Sequence, residues 1–163
     1  MTMRFEGGMR AKQSAGVLMY KRRAGGLEVL LVHPGGPFWK KRDEGAWSIP
    51  KGEAEEGEDF LTAAVREFRE EIGLAVKGNL VDLGWVKQKG GKIVYAWAIE
   101  SGPDQTISLT SNLFEMEWPP HSGKTRPFPE IDRAEFFSLA EAEKKINESQ
   151  RVFLGRLREK FGC

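Results

Sequence analysis

Two stretches near the start of the chain are almost continuously apolar. AGVLMY (15–20) and LEVLLVH (27–33) are rich in valine and leucine, and the polar insert KRRAGG between them closes on Gly25-Gly26. That pattern predicts two strands joined as a hairpin. The period changes at residue 60. Phe60, Ala63, Ala64, Phe68 and Ile72 recur at helical spacing, which predicts a helix over 60–72. Asp59 stands where an N-cap belongs and Gly73 where a left-handed glycine ends a helix. The segments in between read differently. HPGGPFWKKRDEGA (33–46) is a loop by its proline, glycine and charge. WSIP (47–50) is a short extended piece stopped by Pro50, and KGEAEEGED (51–59) is a loop.

Beyond the helix, LVDLGWVKQ (80–88) and KIVYAWAIE (92–100) read as strands around Gly90-Gly91, a two-residue hairpin signal. Trp85 and Trp97 are assigned to the core. TISLTSNLFEMEW (106–118) adds a further strand. PPHSGKTRPFPE (119–130) carries four prolines and predicts a rigid loop. AEFFSL (134–139) is a short strand. Residues 139–161 form one or two amphipathic helices, with Ile146, Val152, Phe153, Leu154 and Leu157 facing inward. Strands thus bracket one central helix, and a helical tail closes the chain. The expected class is α/β, a mixed sheet sandwiched by helices.

Length and charge then narrow the function. The chain of 163 residues suits one domain with its own core, residues 1–13 being a polar, frayed start. A net charge of +1 gives no overall field toward nucleic acid or membranes, and no dedicated nucleic-acid site is evident. The segment MTMRFEGGMR lacks the apolar core of a signal peptide. The longest apolar run, IVYAWAI, falls far short of the about 20 residues that span a bilayer. A cytoplasmic protein is expected. Cys163 is the one cysteine, and His33 and His121 are the two histidines, read as ordinary polar residues. A thiolate- or imidazole-built metal site is therefore disfavoured. Oxygen ligands remain, which suit Mg²⁺, Mn²⁺ or Ca²⁺.

The stretch VREFREEIG (65–73) carries that oxygen chemistry. Glu67, Glu70 and Glu71 share one helical face, where like charges at i, i+3 and i+4 oppose the helix. Either the face is solvated or something positive sits against it. The wider segment GEAEEGEDFLTAAVREFREEIGL (52–74) decides. It reads Gly52, five residues, Glu58, seven residues, Arg66-Glu67, apolar Phe68, any residue, Glu70-Glu71, any residue, Gly73, apolar Leu74. This resembles the Nudix box, the signature of the Nudix hydrolases, with Phe68 where an aliphatic residue is usual. The preceding WSIPKG (47–52) resembles the segment that leads into the box in dinucleoside polyphosphate hydrolases of the diadenosine tetraphosphate type.

The resemblance implies a Nudix-type α/β/α sandwich and a divalent-metal-dependent hydrolase acting on a diphosphate bond of a nucleoside polyphosphate, with Mg²⁺ or Mn²⁺ as cofactor. It implies Gly52, Glu67, Glu70 and Glu71 as the metal-holding set, with Glu67 and Glu70 in catalysis and Glu58 and Arg66 in support. Related enzymes often place one more carboxylate about six positions before an aromatic of the late strand. Glu130 stands six before Phe136, which makes it a candidate metal ligand and catalytic residue, with Glu115, Glu117 and Asp132 as rivals. Trp39, Lys51, Tyr95, Lys124 and Arg126 are candidates for substrate binding: Trp39 to stack a base, Lys51 from the lead-in segment, Tyr95 if it faces the cleft rather than the core, Lys124 and Arg126 to meet phosphates from their loop. SGKT (122–125) lacks the glycine a P-loop needs at 118, which is Trp. The alternative of another class is a catalytically silent nucleotide-sensing module.

Overall fold

A computed structural model describes residues 13–102, 105 and 107–162. All but the last residue of the frayed start, together with Cys163, lies outside the described residues. Strand β1 (Gln13–Arg23) and β2 (Gly26–Pro34) form the expected hairpin, with Arg23 opposite Gly26. β3 (Lys51–Glu53) follows, then α1 (Phe60–Ile72), β4 (Val81–Lys87) and β5 (Ile93–Glu100). β6 (Leu113–Glu117), β7 (Thr125–Pro129), β8 (Ile131–Ser138), α2 (Leu139–Lys145) and α3 (Arg151–Phe161) complete the chain. The main sheet runs β4-β5-β1-β2-β8, with β3 added on β1. β1 pairs parallel with β5, and the other pairs are antiparallel. The sheet is mixed, as expected.

Both sheet faces are covered, and the alternation of β1 shows how. Ala15, Val17 and Met19 face α1, where they meet Phe60, Ala63, Ala64, Phe68 and Ile72. Leu18 and Tyr20 face the other way, into a cluster with Trp47, Ile146, Phe153, Leu154 and Leu157. Period 2 in the strand thus serves two helical layers. Phe68 is fully buried; truncating it to alanine is expected to cost about 3–5 kcal/mol. Helix α1 begins and ends where the sequence placed it. The Asp59 carboxylate accepts the Thr62 N–H at 2.7 Å, and Gly73 turns left-handed at φ 75°.

Four expectations change. The loop after Pro50 begins as a strand: β3 pairs with the first residues of β1, where β2 no longer runs alongside. The 119–130 segment is not all loop, because β7 pairs with β6 in a separate two-stranded hairpin. Prolines 127 and 129 are tolerated there because each strand of a lone hairpin has a free edge. Val152 and Trp85 are about half exposed, at 50% and 51%. Val152 lies on the outer side of α3, and Trp85 sits on the edge strand β4 beside a register shift. Last, the β4–β5 connection is a three-residue turn, Lys89–Gly91, closed by the Gln88 N–H on the Lys92 carbonyl at 2.7 Å.

Candidate active site

β3 and α1 bring the glutamate face to the sheet. Gly52 on β3 pairs with Ala15 and lies under Glu67 of α1. A Cβ on residue 52 would fall 2.1–2.4 Å from the Glu67 carboxylate atoms. Only glycine leaves that carboxylate its place. Arg66 then organises the turn. Its guanidinium holds Glu58 through two hydrogen bonds of 2.9 Å and Glu67 through one of 2.9 Å. It also reaches Glu70 at 3.6 Å. The two charges grip each other: the Arg66 bond keeps Glu58 below the usual carboxylate range, and Glu58 raises Arg66. Glu58 and Arg66 therefore fix the approach loop to the helix.

Glu71 sits deeper. It is buried, and its Oε2 has no hydrogen-bond partner. Burial, and next the charge of Glu67, push its carboxyl up to about 8, with Glu130 and Glu70 adding to the rise. Burial likewise raises Glu67, against the pull of Arg66. Lys51 is pushed down, chiefly by burial and then by Lys92, while Glu71 pulls it back up. Glu71, Lys51 and Glu130 line one cavity of about 270 Å³, with Trp39 also on its wall. The Glu130 backbone is pinned on both sides: its N–H donates to Asn112 O and its carbonyl accepts from Gly35 N–H, each at 2.9 Å.

Two rivals of Glu130, Glu117 and Asp132, have other employment. The Glu117 carboxylate accepts the His121 and Gly123 N–H groups at 3.1 and 3.0 Å, closing the β6–β7 turn. Asp132 lies 2.8 Å from Nδ1 of His33. His33 is no ordinary polar residue. It is fully buried, and its Nε2 donates to the Arg42 carbonyl at 2.6 Å. It thereby ties the Trp39 loop to the start of β8. Asp43 adds a second tie, accepting from Trp47 Nε1 at 2.8 Å and pairing with Lys145 of α2. Arg42 covers the exposed Trp39 ring, 5.5 Å from its centroid.

Of the remaining candidates, Tyr95 is drawn into the core. Its ring stacks on Phe60 at 4.3 Å, and it does not line the cavity. Lys124 and Arg126 are exposed on the β6–β7 hairpin and do not line the cavity either. Four polar residues of the cavity wall were not anticipated: Ser48, Gln88, Asn147 and Gln150. All four come from connections between the named strands and helices, where no local spacing signals a role.

Among the described residues, no three His, Cys, Asp or Glu side chains are gathered ready-made around a metal position. The carboxylates spread around Arg66 instead. Their character still fits a hard cation. Glu71 offers an unpartnered buried oxygen, Gly52 leaves the space Glu67 occupies, and burial, followed by repulsion from Glu67, raises Glu71. A positive charge placed there would relieve that repulsion.

The profile of the NUDIX domain matches residues 11–157. The chain belongs to the Nudix family. A curated relative, the bis(5'-nucleosyl)-tetraphosphatase [asymmetrical] of Caenorhabditis elegans, is 36% identical over 62 residues, 38% of this chain and 41% of the relative. The chain thus matches less than half of that relative's length. Among solved structures, a C. elegans Ap4A hydrolase binary complex has a TM-score of 0.65 at 23% identity, covering 90% of this chain and 96% of that one. The NUDIX domain of Shewanella oneidensis NrtR complexed with ADP ribose has a TM-score of 0.65 at 14% identity, covering 94% and 89%. At these identities the likeness establishes the Nudix fold, in agreement with the α/β/α sandwich. No described helix is long and apolar enough to cross a membrane.

Proposed function

We propose that this Nudix protein hydrolyses a diphosphate bond in a nucleoside polyphosphate, with dinucleoside polyphosphates of the Ap4A type the first class to test. The observation that carries the reading is the complete Nudix box, with Glu67 seated against Gly52 and Glu71, whose buried Oε2 has no partner, lining the cavity shared with Lys51 and Glu130. The substrate class draws on WSIPKG and on the tetraphosphatase relative.

Glu67, Glu70 and Glu71 would hold a divalent cation, Mg²⁺ or Mn²⁺, with Glu130 lining the same cavity as Glu71. Such a cation supplies charge neutralisation and orientation of the phosphate oxygens. The rest falls to the chain. Lys51 sets an ammonium beside the phosphates. Arg66 and Glu58 hold the helix turn so that Glu67 stays in register with Gly52. Glu130 takes the proton of the attacking water, and the anhydride oxygen leaves with its electron pair. No serine, cysteine or histidine nucleophile lines the cavity in a base-paired arrangement, so attack by water in one step is the natural route.

The test is a product-resolved panel: Ap4A, nucleoside triphosphates, ADP-ribose and a nucleotide sugar, each with Mg²⁺, with Mn²⁺ and with EDTA. Cation-dependent cleavage of a nucleoside polyphosphate is expected, fastest on Ap4A. Turnover that persists in excess chelator refutes the cation's part, and binding without turnover on every substrate favours a sensing module.

A further inference from the structure

His33 stands between Val32 and Pro34, and Asp132 follows Ile131. Those three neighbours line the cavity, yet the hydrolysis described above gives His33 and Asp132 no task. The strand register brings the two together. His33 pairs with Arg133 and Pro34 with Ile131, so Asp132 is the extra residue of a bulge. A bulge re-aims a side chain, and the Asp132 carboxylate stands 2.8 Å from His33 Nδ1. The other ring nitrogen, Nε2, reaches the Arg42 carbonyl at 2.6 Å. The ring itself is fully buried and lies edge-on to Trp47, centroids 5.1 Å apart.

Arg42 in turn is joined to Trp39, which lines the cavity. The Arg42 N–H donates to the Trp39 carbonyl at 2.9 Å, and its guanidinium stands over the Trp39 ring, 5.5 Å from the centroid. Residues 36–42 have few other moorings. The Trp39 N–H donates to Gly36 O at 3.2 Å, inside the segment. The Phe38 ring meets Trp118, which follows β6, at 5.9 Å. Among the described residues, the bond from His33 is the one hydrogen bond that joins residues 36–42 to the main sheet.

We propose that Asp132 and His33 form a brace that positions Trp39: Asp132 aims the buried ring, the ring holds the Arg42 carbonyl, and Arg42 keeps Trp39 at the cavity, where it stacks on the base of a bound nucleotide. His33 is thus a positioning residue for nucleotide binding and takes no part in bond breaking. The inference rests on the nucleotide reading of the cavity and adds what sets its affinity for a base.

The test copies one ring nitrogen at a time. An asparagine amide nitrogen falls where Nδ1 stands and a glutamine amide nitrogen where Nε2 stands. His33→Gln therefore keeps a donor for the Arg42 carbonyl, and His33→Asn loses it. AMP is titrated calorimetrically in EDTA, which needs no turnover. Trp39→Ala is expected to weaken AMP by about tenfold or more, the worth of a base–aromatic stack. His33→Asn should weaken it by a similar factor, and His33→Gln by less than about threefold. In the Trp39→Ala background, His33→Asn should add less than about twofold, because its effect passes through the missing ring. Asp132→Ala lies at the surface and spares the core. It should weaken AMP by about threefold or more while Trp39 is present, and it carries the test if His33→Asn fails to fold. In steady state on Ap4A, His33→Asn should raise KM and leave kcat within about threefold of wild type. A His33→Gln loss equal to that of His33→Asn, a loss that persists in full without Trp39, or no binding of AMP to the wild-type chain overturns the proposal. The two readings fail separately. AMP binding that follows this pattern without turnover of any substrate removes the hydrolase reading and leaves the brace. Turnover without the pattern removes only the brace.

Discussion

At the scale of single residues, the carboxylates of α1 were legible because their meaning is local. Glu67, Glu70 and Glu71 fall on one face by spacing alone, and Arg66 and Glu58 stand where their mutual grip requires. Tyr95 shows the opposite case. Its strand is buried on both faces, so alternation does not say which side faces a cavity, and only its stacking on Phe60 of α1 decides it. Glu130 lies between these cases, nominated by its offset from Phe136 and then found in the cavity wall with Glu71. Glu130→Gln should lower kcat by about 10²-fold or more if it takes the proton, with a smaller change in KM. Glu117→Gln should leave kcat near wild type, since its carboxylate is committed to the hairpin turn. Steady-state kinetics on the two variants decide between them, and the reverse pattern would move the catalytic assignment to the hairpin.

At the scale of elements, β3 and β7 were missed for physical reasons. β3 is three residues long and glycine-centred, with no alternation to detect. β7 contains two prolines, which read as loop until the free edge of an isolated hairpin is known. Their consequences differ. Gly52→Ala should leave the fold intact, because the atoms it would strike are the mobile end of Glu67 rather than backbone. The carboxylate must swing away, so activity and Mg²⁺ affinity should fall together while the melting temperature moves by no more than a few degrees. Calorimetric Mg²⁺ titration beside thermal melting checks this; loss of the fold would show that Gly52 serves the strand and not the site. The hairpin predicts a weaker effect. Lys124 and Arg126 are exposed and off the cavity. Replacing both with alanine should leave kcat unchanged, with any rise in KM confined to the longest polyphosphates. A uniform loss across a chain-length series would mean that the hairpin closes over every substrate.

At the scale of the whole molecule, the acidic site works against the stability of the fold that builds it. Burial and the neighbouring charges of Glu67, Glu130 and Glu70 raise Glu71 to about 8, from an ordinary value of 4.5. Between those values the folded chain keeps a proton that the unfolded chain has released. Stability from this group is thus complete below about pH 4.5 and is lost as pH rises through about 8. Glu67, also raised, acts with the same sign. Glu58 and Asp43 are lowered, so their contribution is lost only as pH falls below the ordinary carboxylate range, a separate window. Without divalent cations, the melting temperature should therefore fall by several degrees between about pH 5 and about pH 9. Glu71→Gln should flatten that slope and raise the melting temperature most at the alkaline end, because the amide keeps the bulk and removes the ionisation. A cation acts on the same charge by another route. Mg²⁺ should stabilise the wild-type chain more as pH rises, since binding favours the ionised carboxylate, and should stabilise Glu71→Gln much less. Differential scanning fluorimetry over a pH series, with Mg²⁺ and with EDTA, reads all of this in one experiment. A flat wild-type profile, or a slope that survives Glu71→Gln, would place the repulsion elsewhere and sever the link between the buried carboxylate and the cation.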